Sequence, residues 1–203
     1  MQKLVLLALY SVYLFGCAHS PVVVHDKLDV ELGENVTFRL LAPNTYGKNI
    51  SFTQVAEIDN GGRTREFLFR VQIIDNALTV AGLLPSGTRI FLISFDGVNI
   101  GAEGLGNVIE QLQPKYLIAD LQLTMWPYET LLNDGFVPPG CSEKTTCLFS
   151  KELKTNSRNL TVSDKKIISI SYSPSTDGGN NIFYENFLRK YTIKLKTIEK
   201  LAL

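Results

Sequence analysis

Seven residues, Phe67-Leu68-Phe69-Arg70-Val71-Gln72-Ile73, restrict the fold of this 203-residue chain more than any others. The odd positions are all apolar while Arg70 and Gln72 alternate with them, the period-two signature of a strand with one buried face. Just before it, Asn60-Gly61-Gly62 supplies the residue types that adopt positive φ in a tight turn, so Ser51 to Ile58 should pair with Thr64 to Ile74. Asp75-Asn76 and Pro85-Ser86-Gly87 punctuate two further runs, Ala77 to Leu84 and Arg89 to Phe95, and Asp96-Gly97 turns the chain toward Val98-Ile100. The reading is an antiparallel meander.

The pattern changes between Gly101 and Asn133. Leu105 to Leu112 suits a short helix ended or restarted by Pro114. In Tyr116 to Trp126, Leu117, Leu121, Met125 and Tyr128 fall on one helical stripe, although Leu121, Leu123 and Met125 also alternate as a strand would. A helix is favoured, because the segment follows a proline and exceeds the usual strand length. Pro127 should kink it or start a second turn through Leu132. Strand signals return over Arg158 to Val162 and Lys166 to Tyr172, and Ser173 to Asn181 reads as a loop. In the last strand, Tyr191, Ile193 and Leu195 alternate with Thr192, Lys194 and Lys196, whose lysines should face water. Strands on both sides of a central helical segment, with no βαβ alternation, give the α+β class: an antiparallel sheet curled around central helices.

Charge and motifs exclude several functions. Twenty Lys+Arg balance twenty Asp+Glu, which gives no overall field for nucleic acid. The stretch from Lys151 onward is basic. It could face anionic lipid head groups, but spaced lysines are more often the solvated side of strands. The only histidines, His19 and His25, lie near the start, so the chain offers no metal site, no Ser-His-Asp arrangement and no cofactor. Gly101-Ala102-Glu103-Gly104-Leu105-Gly106 lacks the lysine of a phosphate loop and reads as a flexible connection. Asp120 sits in an apolar setting, as either a functional acid or, more commonly for such a residue, one at a polar helix edge or capping nearby backbone. Catalysis is not expected.

What the sequence holds instead is surplus apolar surface. Phe67, Phe69, Val71, Phe91, Ile93 and Phe95 on neighbouring strands, with Leu121, Met125 and Trp126 on the helix, form either a packed core or the lining of a cavity that accepts an apolar ligand.

The segment 1–16 has a charged residue, Lys3, then an apolar run too short to span a bilayer, as in a secretory signal. Leu14-Phe15-Gly16-Cys17 resembles the lipobox of bacterial lipoproteins, which implies cleavage between Gly16 and Cys17 and acylation of Cys17. Ala18 is not the aspartate that favours inner-membrane retention, so the resemblance implies the outer membrane, facing the periplasm. Residues 17–33 then read as lipidated anchor and tether, and 34–203 as a single domain. In that oxidising compartment Cys141 and Cys147, within a Pro/Gly-rich stretch, suit a small disulfide loop. The sequons at Asn35, Asn49 and Asn159 are chance occurrences in such a protein.

Gly82-Leu83-Leu84-Pro85-Ser86-Gly87-Thr88-Arg89-Ile90-Phe91-Leu92-Ile93-Ser94-Phe95-Asp96-Gly97 and the later string Ile118-Ala119-Asp120-Leu121-Gln122-Leu123-Thr124-Met125-Trp126-Pro127 resemble a family of uncharacterised outer-membrane lipoproteins related to LolB and found with aryl-polyene biosynthesis clusters. Departures are Ile118, where leucine is commoner, and the cysteine loop. The resemblance implies a LolA/LolB-like half-open barrel, strongly curved and closed by helices. It further implies that the cavity receives an acyl chain or hydrophobic lipid, delivered by a soluble LolA-like carrier, and aids its transfer to the outer membrane. A non-catalytic structural or accessory lipoprotein of an envelope assembly is the alternative.

Overall fold

In a computed structural model, residues 22–24, 28–105, 107–136, 147–174 and 180–203 are described. Gly16, Cys17 and Cys141 lie outside them. Thirteen strands run in chain order through the described residues: β1 (Val22–Val24), β2 (Asp29–Gly33), β3 (Val36–Arg39), β4 (Ile50–Asn60), β5 (Thr64–Ile74), β6 (Ala77–Leu83), β7 (Arg89–Phe95), β8 (Ile100–Gly104), β9 (Cys147–Glu152), β10 (Ser157–Val162), β11 (Lys165–Pro174), β12 (Asn180–Asn186) and β13 (Tyr191–Ala202). Between β8 and β9 lie helices α1 (Val108–Leu112) and α2 (Pro114–Met125), the single turn α3 (Tyr128–Thr130) and a π-turn, Leu131–Gly135.

Eleven strands form one curved antiparallel sheet in the order β1-β8-β7-β6-β5-β4-β13-β12-β11-β10-β9; β2 and β3 form a separate hairpin. The sheet is two meanders, β4 to β8 and β9 to β13, joined where the last strand lies against β4. That joint pairs Tyr191 with Asn60 and Ala202 with Ile50. The β4–β5 register, Ser51 with Gln72 through Ile58 with Arg65, is set by the turn in which Gly61 and Gly62 take φ of 64° and 82°. With the helices, this is an α+β architecture.

Helix α2 starts with Pro114 in its first turn, where the missing N–H costs nothing, and ends at Trp126, whose following proline blocks continuation. Its fully buried positions are Ile118, Ala119, Gln122 and Leu123, and Trp126, just past its end, is fully buried too. Leu117, Leu121 and Met125, the stripe picked out by periodicity, are only half-buried and border open space. Both sides of the helix are therefore used, one for the core and one for a cavity.

Gln122 ties the helix to the chain between β3 and β4: it accepts from the Leu41 N–H at 2.9 Å and donates to the Leu41 carbonyl at 2.7 Å. At the helix end, Trp126 donates its indole N–H to Thr45 Oγ1 at 2.8 Å and meets the Tyr46 ring edge-on, with centroids 5.1 Å apart. Arg158 donates to the Leu123 and Trp126 carbonyls, and Tyr172 to the Thr124 carbonyl, satisfying acceptors that the end of a helix leaves unpaired.

Three segments are more ordered than their sequence suggests. Residues 28–33, read as tether, enter β2, because Val30 and Leu32 alternate with Asp29 and Glu31 and are buried in the same apolar cluster as the sheet. Gly101 to Gly104, read as a flexible connection, is strand β8, paired with β7 from Ile100–Phe95 to Gly104–Phe91. Its glycines are there for close approach: a Cβ on Gly101 would sit 2.5 Å from Ser94 Oγ, and one on Gly104 2.7 Å from Ile109 Cγ1. The final strand runs on to Ala202, well past Leu195. Within the stretch read as the 173–181 loop, Ser173 and Pro174 continue β11 and Asn180 and Asn181 open β12, while 175–179 lie outside the described residues.

Among the described residues the apolar cluster runs from Leu28 to Leu195. A chain beginning at Ala18 keeps every described residue of that core.

Candidate functional site

A cavity of about 520 Å³ opens between α2 and the inner face of β4, β5, β6, β12 and β13. Period-two alternation supplies its apolar walls: Phe69 and Val71 from β5, Val80 from β6, Ile193 and Leu195 from β13. Leu117 and Leu121 face them from the helix. Its mouth carries Asn60, Gln111, Gln113 and Arg189, from the β4–β5 turn, α1 and its exit, and the β12–β13 turn.

Set into this apolar wall is one polar cluster. Asp120, half-buried on α2, accepts hydrogen bonds from the Tyr184 hydroxyl at 2.5 Å and from the Tyr191 hydroxyl. The two tyrosine rings stack with centroids 5.9 Å apart, Tyr184 also receiving a long contact from Asn186 Nδ2. Burial disfavours the carboxylate and raises the Asp120 pKa from the ordinary 3.8 to about 6, although both tyrosine donors and the Arg189 charge act in the opposite direction. Burial likewise raises both tyrosines, and the neighbouring Asp120 charge pushes them further the same way. Arg189 lays its guanidinium over the Tyr116 ring, 3.2 Å from the centroid. Asp120 is thus neither on a solvated helix edge nor a backbone cap.

The cluster spans three elements that sequence reading does not connect. Asp120 and Tyr191 each stand out locally, but they meet only because β13 inserts beside β4 and faces the helix. Tyr184 follows from the alternation Ile182-Tyr184-Asn186 on β12, which are all buried. The signal for it was period two, and the missing knowledge was strand order.

Of the residues named from sequence as cavity candidates, Phe69, Val71 and Leu121 line this cavity. Phe67 stacks on Phe69 at 6.3 Å. Phe91, Ile93 and Phe95 are buried core, with Phe91 meeting Phe69 edge-on at 5.8 Å. Trp126 is fully buried, and Met125 borders a second, more polar cavity of about 340 Å³ near Arg158. Cys147 is disulfide-bonded and nearly buried. Among the described residues no three histidine, cysteine, aspartate or glutamate side chains group so as to hold a metal ion, and no helix is long and apolar enough to cross a membrane.

No curated protein matches the chain. The model of a family described as protein of unknown function (DUF3261) matches residues 51–199, from the start of β4 to near the end of β13, and so takes in both meanders, α2 and every residue of the polar cluster. The chain belongs to the DUF3261 family of proteins of unknown function.

Proposed function

We propose that this protein is a non-catalytic lipid receptor of the bacterial envelope. In this reading Cys17 carries the acyl chains that anchor it to the outer membrane, and the folded part faces the periplasm as a LolB-like half-open barrel. The cavity under α2 accepts an acyl chain or polyene lipid from a soluble LolA-like carrier and passes it to the membrane. The observation that carries the reading is the cavity itself. Its volume falls within the roughly 300–1,000 Å³ typical of small-molecule sites, and most of its wall is aliphatic or aromatic. A packed core holds few voids larger than a water, so an opening of this size is room for a ligand rather than slack in the packing.

Each methylene moved from water into such a wall gains ~0.8 kcal/mol, so a chain of about ten would gain ~8 kcal/mol before ordering costs reduce it. Transfer would then run down a gradient of affinity, with no cofactor. Asp120 supports a binding role over catalysis, since its carboxylate is engaged by two tyrosines whose hydroxyls burial holds in the protonated form.

The test is titration of the chain beginning at Ala18 with a fluorescent fatty acid, alongside Ile193→Trp, which fills the cavity from β13. Saturable binding that Ile193→Trp weakens at least tenfold supports the reading. Failure of the wild-type chain to bind refutes it.

A further inference from the structure

The β12–β13 turn, Phe187-Leu188-Arg189-Lys190, points two large apolar side chains into solvent: Phe187 is 43 % and Leu188 55 % exposed. The turn is held firmly. Asn186, itself buried, accepts from the Arg189 N–H at 2.8 Å, and the Phe187 N–H donates to the Ile167 carbonyl at 3.0 Å. That second bond sets the turn against the start of β11, where Lys165 and Lys166 are exposed. Lys190, Lys165 and Lys166 therefore lie exposed at the same end as the apolar pair, while the Arg189 guanidinium turns inward over the Tyr116 ring. The acids at this end are Asp164, Glu185, Asp59 and, on the β2–β3 turn whose Gly33 approaches Ile167, Glu34; Asp59 already accepts from the Gly62 N–H and the Thr64 hydroxyl. Arg189 and Tyr191 line the cavity, and Asn60, paired with Tyr191, does too, so the turn stands at the cavity's mouth.

We infer that this turn is a membrane-docking surface whose partner is the anionic phospholipid face of a bilayer. Phe187 and Leu188 would enter the acyl boundary while Lys190, Lys165 and Lys166 meet phosphates, the division of labour of an interfacial anchor. The choice of occupant rests on charge: three exposed lysines flank an apolar tip, which suits neither a neutral protein face nor a second copy carrying the same cations. Two exposed apolar side chains are normal on any surface, and Leu153, at the opposite end of the sheet, is 84 % exposed. What sets Phe187 and Leu188 apart is their adjacency, the lysines that flank them and the cavity mouth beside them. The inference deepens the proposed transfer of lipid, because docking here would place the cavity opening against the bilayer.

The experiment is co-sedimentation of the chain beginning at Ala18 with vesicles of phosphatidylglycerol and phosphatidylethanolamine, and with phosphatidylcholine alone. The expected result is binding to the anionic vesicles that falls with salt and is weaker on phosphatidylcholine. Phe187→Ser/Leu188→Ser should lower the partition coefficient by about tenfold or more, given the apolar area lost. Lys165→Glu/Lys166→Glu should lower binding to anionic vesicles only, and Leu153→Ser should change nothing. No binding by the wild-type chain, an equal loss in Leu153→Ser, or wild-type binding by both turn variants overturns the inference. Should the apolar variant fail to fold, the lysine pair decides, since both positions are exposed. Fatty-acid titration of the same proteins separates the two claims: vesicle binding without fatty-acid uptake removes the cavity reading alone, and uptake without vesicle binding removes the docking surface alone.

Discussion

Replacing Asp120 by Asn should reshape the pH dependence of stability in a way that no surface change would. In the folded protein the Asp120 pKa is raised from 3.8 to about 6, mainly by burial. Between those values the native state holds a proton that the unfolded chain has released, so stability falls as pH rises through that window and levels off above about pH 7. At 1.36 kcal/mol per unit the full shift corresponds to ~3 kcal/mol, and partial opening to the cavity reduces this to ~2–3 kcal/mol. Asn keeps one acceptor for a tyrosine hydroxyl, adds a donor for the other, and cannot ionise. The stability of Asp120→Asn relative to wild type should therefore rise by ~2–3 kcal/mol between pH 3.5 and pH 7.5, measured by urea unfolding of the chain beginning at Ala18. Other titrating groups cancel in the difference. Wild-type and variant curves that run parallel would refute the reasoning, and a difference of opposite sign would show that the tyrosine donors outweigh burial.

Three further outcomes follow from particular contacts. Gln122→Leu leaves the Leu41 N–H and carbonyl without their partner in a buried site, and should destabilise the fold by about 2–4 kcal/mol in the same urea assay. Gly82→Ala would place a Cβ 2.0 Å from Phe91 Cε1, so it should cost about 1–3 kcal/mol, and Phe91→Leu in the same chain should recover part of that loss. Cys17→Ser should abolish incorporation of labelled palmitate in a Gram-negative host and release the protein from the membrane fraction, whereas unchanged labelling would remove the anchor assignment.

Local pattern carried most of the secondary structure. Asn60-Gly61-Gly62 located a hairpin whose pairing of segments the structure reproduces, because the turn chemistry and the buried face of β5 demand the same pairing. Helix over strand was resolvable for Tyr116–Trp126 because the segment follows a proline and exceeds the usual strand length. Where reading fell short, the cause was tertiary. Glycines in β8 looked like a linker, yet they are spaces for Ser94 and Ile109. Val30 and Leu32 were too short a run to outweigh their nearness to the N-terminal segment. The phenylalanines expected around the cavity divide, with Phe69 lining it and Phe91 and Phe95 filling the core, because curvature decides which inward-facing positions meet the helix and which meet each other. Strand order was not legible at all. The Asp120–Tyr184–Tyr191 cluster depends on it, since only the pairing of β13 with β4 and β12 brings both hydroxyls under α2.

The claim at the centre of this account is that the space between α2 and the sheet holds a hydrophobic chain. Photolabelling the protein with a diazirine-bearing fatty acid, followed by peptide mass spectrometry, tests it most directly. The account predicts adducts on the β5 peptide containing Phe69 and Val71, on the α2 peptide containing Leu117 and Leu121, and on the β13 peptide containing Ile193, all lost on competition with unlabelled fatty acid. Adducts scattered over exposed residues such as Leu153 and insensitive to competitor would contradict it.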